Sequence, residues 1–139
     1  MSKRNKFLAI ILALAFPFAS VGCAGGNTTS DKPSDIITYE QISGEQAKAL
    51  MESETGCVII DARTQSEYDE GHIPGAILIP EYEIAERAEK ELPDKNQLIL
   101  VYCRSGRRSK IAAAELVKLG YTNVKEFGGI IDWEYEIVK

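Results

Sequence analysis

The sequence has few cysteines and histidines, the side chains that most often bind zinc and other transition-metal ions. Its 139 residues contain three cysteines and one histidine, His72. Protein metal sites combine several cysteine, histidine or carboxylate ligands, and His72 has no cysteine or acidic cluster at ligand spacing. The sequence therefore predicts no metal site and indicates no cofactor. We expect His72 to hydrogen-bond a turn in the segment 71–75 rather than to act as a general base.

The sequence is also short of positive charge. Three of its sixteen basic residues, Lys3, Arg4 and Lys6, lie within residues 1–22. The remaining residues carry thirteen basic and twenty-one acidic side chains, a net charge of −8. Such a surface repels the phosphate backbone of nucleic acids. Because no basic stripe with interleaved aromatic residues is present either, we expect no nucleic-acid partner.

No long apolar run is present. The most apolar stretch, residues 7–18, has twelve residues and is interrupted by Pro17. As a helix it would extend about 18 Å, whereas the hydrocarbon core of a bilayer is about 30 Å thick. Basic residues precede this stretch and small residues follow it, as in a secretory signal peptide. We therefore expect residues 1–22 to be a signal peptide rather than a transmembrane helix.

The segment 19–23 resembles the lipobox of bacterial lipoproteins, in which the cysteine is diacylated and becomes the new N-terminus. Ser20 departs from that pattern, which prefers an apolar residue three positions before the cysteine. Two acyl chains suffice for stable anchoring, so we expect Cys23 to hold the protein on the extracytoplasmic side of the cell membrane. The alternative is conventional signal cleavage, which leaves Cys23 as a free thiol. Residues 23–34 contain no large apolar side chain and predict a flexible tether.

From residue 35 onward, strand and helix patterns alternate along the sequence. Apolar runs predict strands at 36–38, 58–60, 76–79, 98–102 and 124–127. Capping boxes, which begin helices, occur at 43–46 and 64–67. This alternation is typical of a parallel sheet covered on both faces. The sequence therefore predicts a single α/β domain at 35–139, with five mainly parallel strands and helices on both faces.

Polar residues follow two of the predicted strands at the end where parallel sheets bind ligands. They are Asp61 and Arg63 after the second strand, and residues 103–109 after the fourth. Cys57 precedes its strand and Cys103 follows its own, so the two thiols are expected about 13–17 Å apart along the strands. A disulfide requires Cα atoms within about 7 Å. We therefore expect both cysteines to be free and Cys57 to be a small buried hydrophobe.

Cys103 lies at the exit of a buried strand, before a short loop and a helix. Successive backbone N–H groups converge in such a loop, and the helix N-terminus adds partial positive charge. Arg104, Arg107 and Arg108 add three positive charges within five residues. Each of these features favours the thiolate and predicts a lowered pKa for Cys103. The alternative is an inert buried cysteine beside a solvated arginine cluster.

Five segments carry the successive motifs of one known family, in the family's order. They are VIIDAR (58–63), EY (67–68), GHIPGA (71–76), VYCRSGRRS (101–109) and FGGIIDW (127–133). On these motifs, the sequence resembles the rhodanese-like domain family. The resemblance implies that Cys103 is the catalytic residue, which takes a sulfane sulfur from an anionic donor such as thiosulfate, holds it as a persulfide and passes it to cyanide or a thiol. It further implies a substrate-binding loop made of Arg104, Ser105, Gly106, Arg107 and Arg108.

Two other functions stay open on the sequence. Cysteine-dependent phosphatases use a Cys-x5-Arg loop, but the residue six positions after Cys103 is Ser109, and Arg108 is only five after it. The shorter loop fits a sulfur atom better than a phosphate. The second alternative is a binding module that keeps the fold without turnover.

We expect Asp61 and Arg63 to support the site. They pair with each other or with the cysteine loop, or Arg63 attracts the donor.

Overall fold

The computed structural model of the chain describes residues 38–139, and the expected signal peptide, the tether and Cys23 lie outside them. Within the described residues, five strands alternate with four α-helices. The strands are β1 (Glu40–Gln41), β2 (Val58–Asp61), β3 (Ala76–Leu78), β4 (Ile99–Cys103) and β5 (Val124–Gly129). The helices are α1 (Gly44–Ser53), α2 (Gln65–Glu70), α3 (Ile84–Glu91) and α4 (Arg107–Lys118), with short 3-10 helices at Glu81–Glu83 and Ile130–Asp132. None of these helices is long and apolar enough to cross a membrane.

The five strands form one parallel sheet in the order β1-β5-β4-β2-β3. β4 lies at its centre, and all five of its residues are buried. A continuous apolar sequence of this kind is typical of a parallel strand that is covered on both faces. The predicted single α/β domain with a five-stranded parallel sheet is therefore confirmed.

The sheet separates two apolar layers. One layer packs α3 and α4 against the sheet and contains Val101 and Cys103. The other packs α1 against the opposite face and contains Leu100 and Tyr102. Successive strand residues point to opposite faces, so the neighbours Tyr102 and Cys103 belong to different layers. Burial of one large aliphatic side chain is worth about 1.5–3 kcal/mol, and the two layers together hold the carboxyl end of β4 in place.

Both predicted capping boxes are present. Ser43 Oγ accepts a hydrogen bond of 3.1 Å from the Gln46 N–H, and Gln46 Oε1 accepts one of 2.8 Å from the Ser43 N–H. Thr64 and Glu67 form the same reciprocal pair at the start of α2. These caps satisfy backbone N–H groups that the first turn of a helix leaves free. They fix where α1 and α2 begin.

The bounds of β2 to β5 lie within two residues of the prediction, and the first strand lies further from it. The first strand was expected at 36–38, whereas β1 is Glu40–Gln41 and pairs with β5; residues 36–37 lie outside the described part. A two-residue edge strand of polar side chains, held by backbone hydrogen bonds and by the ion pair of Glu40 with Lys125 of β5, leaves no apolar pattern in the sequence. The fourth helix begins at Arg107, inside the expected substrate-binding loop 104–108, because Gly106 with φ of +95° reverses the chain immediately before it.

The two cysteines of the described domain are both free. The register pairs Val58 with Ile99 and Asp61 with Tyr102. Cys57 therefore lies at the amino end of these two strands and Cys103 at the carboxyl end. The prediction that no disulfide joins them is confirmed.

Candidate active site

Cys103 is the last residue of β4, and only 1% of its surface is exposed. Its thiol belongs to the apolar layer beneath α3 and α4. The chain then turns through Arg104, Ser105 and Gly106 and enters α4 at Arg107. The Gly106 N–H donates a hydrogen bond of 3.1 Å to Cys103 Sγ. The sulfur is thus held against the inner side of the turn that connects β4 to α4.

The surroundings of Cys103 favour its anionic form. Burial raises the pKa of the thiol, but the side chain and N–H of Ser109 and the N–H groups of Ser105 and Gly106 lower it and more than offset this effect. The net result is a pKa below that of an ordinary cysteine. Converging donors of this kind stabilise negative charge on sulfur, whether it is a thiolate or a persulfide.

The three arginines of the loop occupy different environments. Arg104 and Arg107 are exposed, and neither forms an ion pair within residues 38–139. Arg108 is largely buried and makes two hydrogen bonds of 2.7 Å to the carboxylate of Glu67. The sequence predicted that all three arginines lower the pKa of Cys103. In the structure, the groups that lower it most are the Ser109 side chain and the N–H groups around the sulfur.

Glu67 was predicted only as a helix cap, and the structure gives it a second role. It closes the capping box of α2 and also binds Arg108, which lies 41 residues further along the chain. The hydrogen bonds from Arg108 lower the pKa of Glu67 to about 2, although partial burial opposes them. The positive charge of Arg108 is therefore already compensated at the rim of the site.

Asp61 and Arg63 pair with each other rather than with the cysteine loop. Both are buried, and Arg63 Nη2 lies 2.6 Å from Asp61 Oδ2. The Tyr102 hydroxyl donates a bond of 2.6 Å to the same carboxylate, and Arg63 also donates to the Gly71 carbonyl at 2.7 Å. This network lies on the α1 face of the sheet. It reaches Cys103 only through the backbone of Tyr102, the residue before it.

Three further residues near Cys103 had no functional assignment from the sequence. Ser109, in the first turn of α4, and Glu126 on β5 are buried and hydrogen-bonded to each other at 2.6 Å. Gly129 at the end of β5 lies so close to the loop that an added Cβ would overlap the Arg104 carbonyl. The double glycine at 128–129 could have signalled this close approach, whereas no pattern in the sequence marks Glu126 as buried.

His72 lies away from the sulfur and holds a turn, as expected. Its Nδ1 is 3.0 Å from the Tyr68 carbonyl oxygen, and its ring stacks on that of Tyr68 with centroids 3.7 Å apart. Its backbone pairs with Val138 near the end of the chain. These contacts give His72 a structural role between α2 and the C-terminal residues.

Comparison with known proteins identifies relatives of the chain. The family model described as rhodanese-like domain matches residues 43–136. The chain is 44% identical over 73 residues to the thiosulfate sulfurtransferase PspE of Escherichia coli, covering 52% of this chain and 70% of that protein. It is 38% identical over 110 residues to the putative sulfur carrier protein YrkF of Bacillus subtilis, covering 78% of this chain and 57% of that protein. A solved structure titled rhodanese with anions from E. coli superposes with a TM-score of 0.57 at 40% identity, covering 60% of this chain and 99% of that one.

Proposed function

The chain belongs to the rhodanese-like domain family, and from this membership we propose that it is a sulfurtransferase whose nucleophile is Cys103. The observation that carries the proposal is the donor cradle around a buried sulfur. Burial alone would raise the pKa of Cys103, but the Ser109 side chain and the N–H groups of Ser109, Ser105 and Gly106 together lower it. Such an arrangement suits a reaction in which sulfur stays anionic before and after transfer.

In the proposed first half-reaction, the Cys103 thiolate attacks the outer sulfur of thiosulfate. A new S–S bond forms at Cys103, the S–S bond of thiosulfate breaks, and sulfite leaves with the bonding electron pair. The exposed Arg104 and Arg107 attract the dianionic donor, and the N–H groups of Ser105 and Gly106 bind the resulting persulfide anion. No proton has to move in this step, so no general base is required.

In the second half-reaction, cyanide or the thiolate of an acceptor attacks the terminal sulfur of the persulfide. The bond between the two sulfurs breaks, and its electron pair returns to Cys103 as the thiolate. The same N–H groups stabilise this leaving group. The nucleophile is thus regenerated without a cofactor.

Two alternatives fit the site less well. A phosphatase loop needs a free arginine that faces a phosphate, but Arg108 is committed to Glu67 by two bonds of 2.7 Å. A non-catalytic binding module gains nothing from a cysteine whose pKa is lowered. Both alternatives predict that Cys103 takes up no sulfur.

The test is a mass measurement on the purified protein after incubation with thiosulfate. We expect the mass to increase by one sulfur atom, located at the peptide that contains Cys103, and the increase to disappear after cyanide is added. Cys57→Ser is the matched control and should still gain the atom, whereas Cys103→Ser should not. A wild-type protein without the added sulfur, or with the sulfur at Cys57, would refute the proposal.

We also propose that Cys23, outside the described residues, is diacylated and anchors the domain to the membrane. Its support is the sequence of residues 1–34 alone, since an apolar stretch, a cysteine and a polar tether follow one another. Metabolic labelling with a radioactive fatty acid in a bacterial host should label the protein, and Cys23→Ala should lose the label. Equal labelling of both forms would contradict the anchor.

A further inference from the structure

Glu126 is a buried acid that the proposed reaction leaves without a role. Only 2% of its surface is exposed, and its side chain points from β5 towards the first turn of α4. Glu126 Oε1 accepts hydrogen bonds from Ser109 Oγ at 2.6 Å and from the Gly128 N–H at 2.8 Å. Within residues 38–139 it forms no ion pair with a lysine or arginine. A carboxylate buried in this way depends on its two hydrogen-bond donors.

The Ser109 hydroxyl links this acid to the loop that follows the nucleophile. A hydroxyl has one proton to donate. At 2.6 Å, its shortest contact is with Glu126 Oε1, and the carbonyl of Gly106 is 3.0 Å away. Gly106 joins this hydroxyl to the nucleophile, because its carbonyl accepts from Ser109 Oγ and its N–H donates to Cys103 Sγ at 3.1 Å. The Ser109 side chain also lowers the pKa of Cys103. Two acids therefore share one donor, and the hydroxyl can serve only one of them at a time.

We propose that Glu126 is a positioning residue that acts on Cys103 through the Ser109 hydroxyl, by drawing the hydroxyl proton away from the sulfur. The carboxylate thereby limits how strongly the site stabilises negative charge on Cys103. This role rests on the proposed function, in which Cys103 is the nucleophile.

The other charged groups near Cys103 lie on different elements from Glu126. Arg108 of α4 interacts electrostatically with Cys103, and its charge is compensated by Glu67 of α2 and by the nearby Glu81. Glu126 approaches from β5, below the turn at Gly106. Of these groups, it is the one that binds the Ser109 hydroxyl directly.

The variant that tests this role is Glu126→Gln. Glutamine keeps an oxygen that can accept from the Gly128 N–H, but it lacks the negative charge that holds the hydroxyl. Ser109 is then free to donate to Cys103 Sγ. We expect the nucleophile of this variant to be more reactive at low pH, whereas a merely structural role for Glu126 predicts equal or lower reactivity.

The measurement is the rate at which iodoacetamide alkylates Cys103 in the full chain at pH values between 5 and 9. Peptide mass spectrometry monitors the alkylation. Glu126→Gln should move the pH profile to lower pH and raise the rate at pH 6 about fivefold, the effect of one hydrogen bond to sulfur. Ser109→Ala should move the profile to higher pH. The double variant should match Ser109→Ala, because the acid acts through the hydroxyl. Glu134→Gln removes the same charge from an exposed position and should leave the profile unchanged.

Three results would overturn the proposal. The first is a pH profile of Glu126→Gln that is unchanged or moved to higher pH. The second is an unchanged profile for Ser109→Ala. The third is a Glu126→Gln shift that persists in full when Ser109 is alanine. The third result would mean that the charge acts directly through space. If Glu126→Gln does not fold, an unchanged Ser109→Ala profile still overturns the proposal. Alkylation needs no sulfur donor, so a failure to form persulfide would refute the sulfurtransferase proposal and leave this measurement valid.

Discussion

The two cysteines of the described domain occupy opposite ends of neighbouring strands and have opposite ionisation behaviour. Cys103 is 1% exposed, yet its pKa is lowered. Cys57 is only partly buried, yet its pKa is raised: burial is the main cause, the charge of Glu54 adds to it, and one backbone hydrogen bond opposes it. Depth of burial alone would predict the reverse order. The hydrogen-bond donors around each sulfur therefore decide its ionisation.

The difference follows from the direction of the parallel strands. At the carboxyl end, the chain leaves β4, turns at Gly106 and presents the first N–H groups of α4 to Cys103. At the amino end, the chain arrives at Cys57 shortly after the last turn of α1, where a helix presents carbonyl groups and no free N–H groups. Helix N-termini favour anions and C-termini do not. One sheet therefore gives two thiols of unequal reactivity.

The largest expected effect separates the two thiols by activity. Cys103→Ser should abolish sulfur transfer from thiosulfate to cyanide, because a serine hydroxyl does not ionise near neutral pH and does not bind sulfane sulfur. Cys57→Ser should retain turnover close to wild type. The check is thiocyanate production by both variants, after circular dichroism has confirmed that each is folded. Wild-type turnover by Cys103→Ser would show that the nucleophile has been misassigned.

A second prediction contrasts the two faces of the sheet at the carboxyl end. Asp61→Ala should leave the buried guanidinium of Arg63 without its carboxylate and deprive the Tyr102 hydroxyl of its acceptor. Breaking a buried pair in this way costs about 3–5 kcal/mol of the free energy of unfolding. Urea unfolding measures this loss in the free energy of unfolding, and Asp69→Ala at an exposed position is the control. A loss below about 1 kcal/mol would show that the network does not stabilise this end of the sheet.

A third prediction concerns the two exposed arginines that follow Cys103 at the carboxyl end of the sheet. Arg104→Ala and Arg107→Ala should each raise the KM for thiosulfate about tenfold, since a charge-assisted contact is worth roughly 1.5–3 kcal/mol. The effect should shrink at high ionic strength because exposed charges are screened. Steady-state kinetics at low and high salt measure both effects. Lys90→Ala on α3 removes the same charge from an exposed position elsewhere and should leave the KM unchanged.

The features that could be predicted from the sequence are local ones. Capping boxes involve residues three positions apart, and the buried strand before Cys103 is visible as a continuous apolar run, so the parallel fold and the place of the cysteine followed from short segments. The bond between Glu67 and Arg108 joins residues 41 positions apart and has no local pattern. The burial of Glu126 could not be predicted for a related reason. A charged residue in a strand normally faces solvent, and the burial of Glu126 depends on hydrogen-bond donors from Ser109 and Gly128.

The smallest expected effect concerns the ion pair at the rim of the site. Arg108 lowers the pKa of Glu67 from 4.5 to about 2. Because the pKa is lower in the folded state, the pair stabilises the protein fully above about pH 4.5, and this contribution is lost as the pH falls from 4.5 towards 2. Glu67→Gln should therefore be less stable than wild type at pH 7, by about 1–2 kcal/mol for a partly exposed bidentate pair. At pH 3 the difference should be smaller, because the wild-type protein has by then lost most of the same contribution.

Urea unfolding of both proteins at the two pH values measures this change. Glu70→Gln, which is exposed on the same helix, controls for the loss of one charge. An equal difference at pH 7 and pH 3 would mean that Glu67 stabilises the carboxyl end through its helix cap rather than through its bond to Arg108.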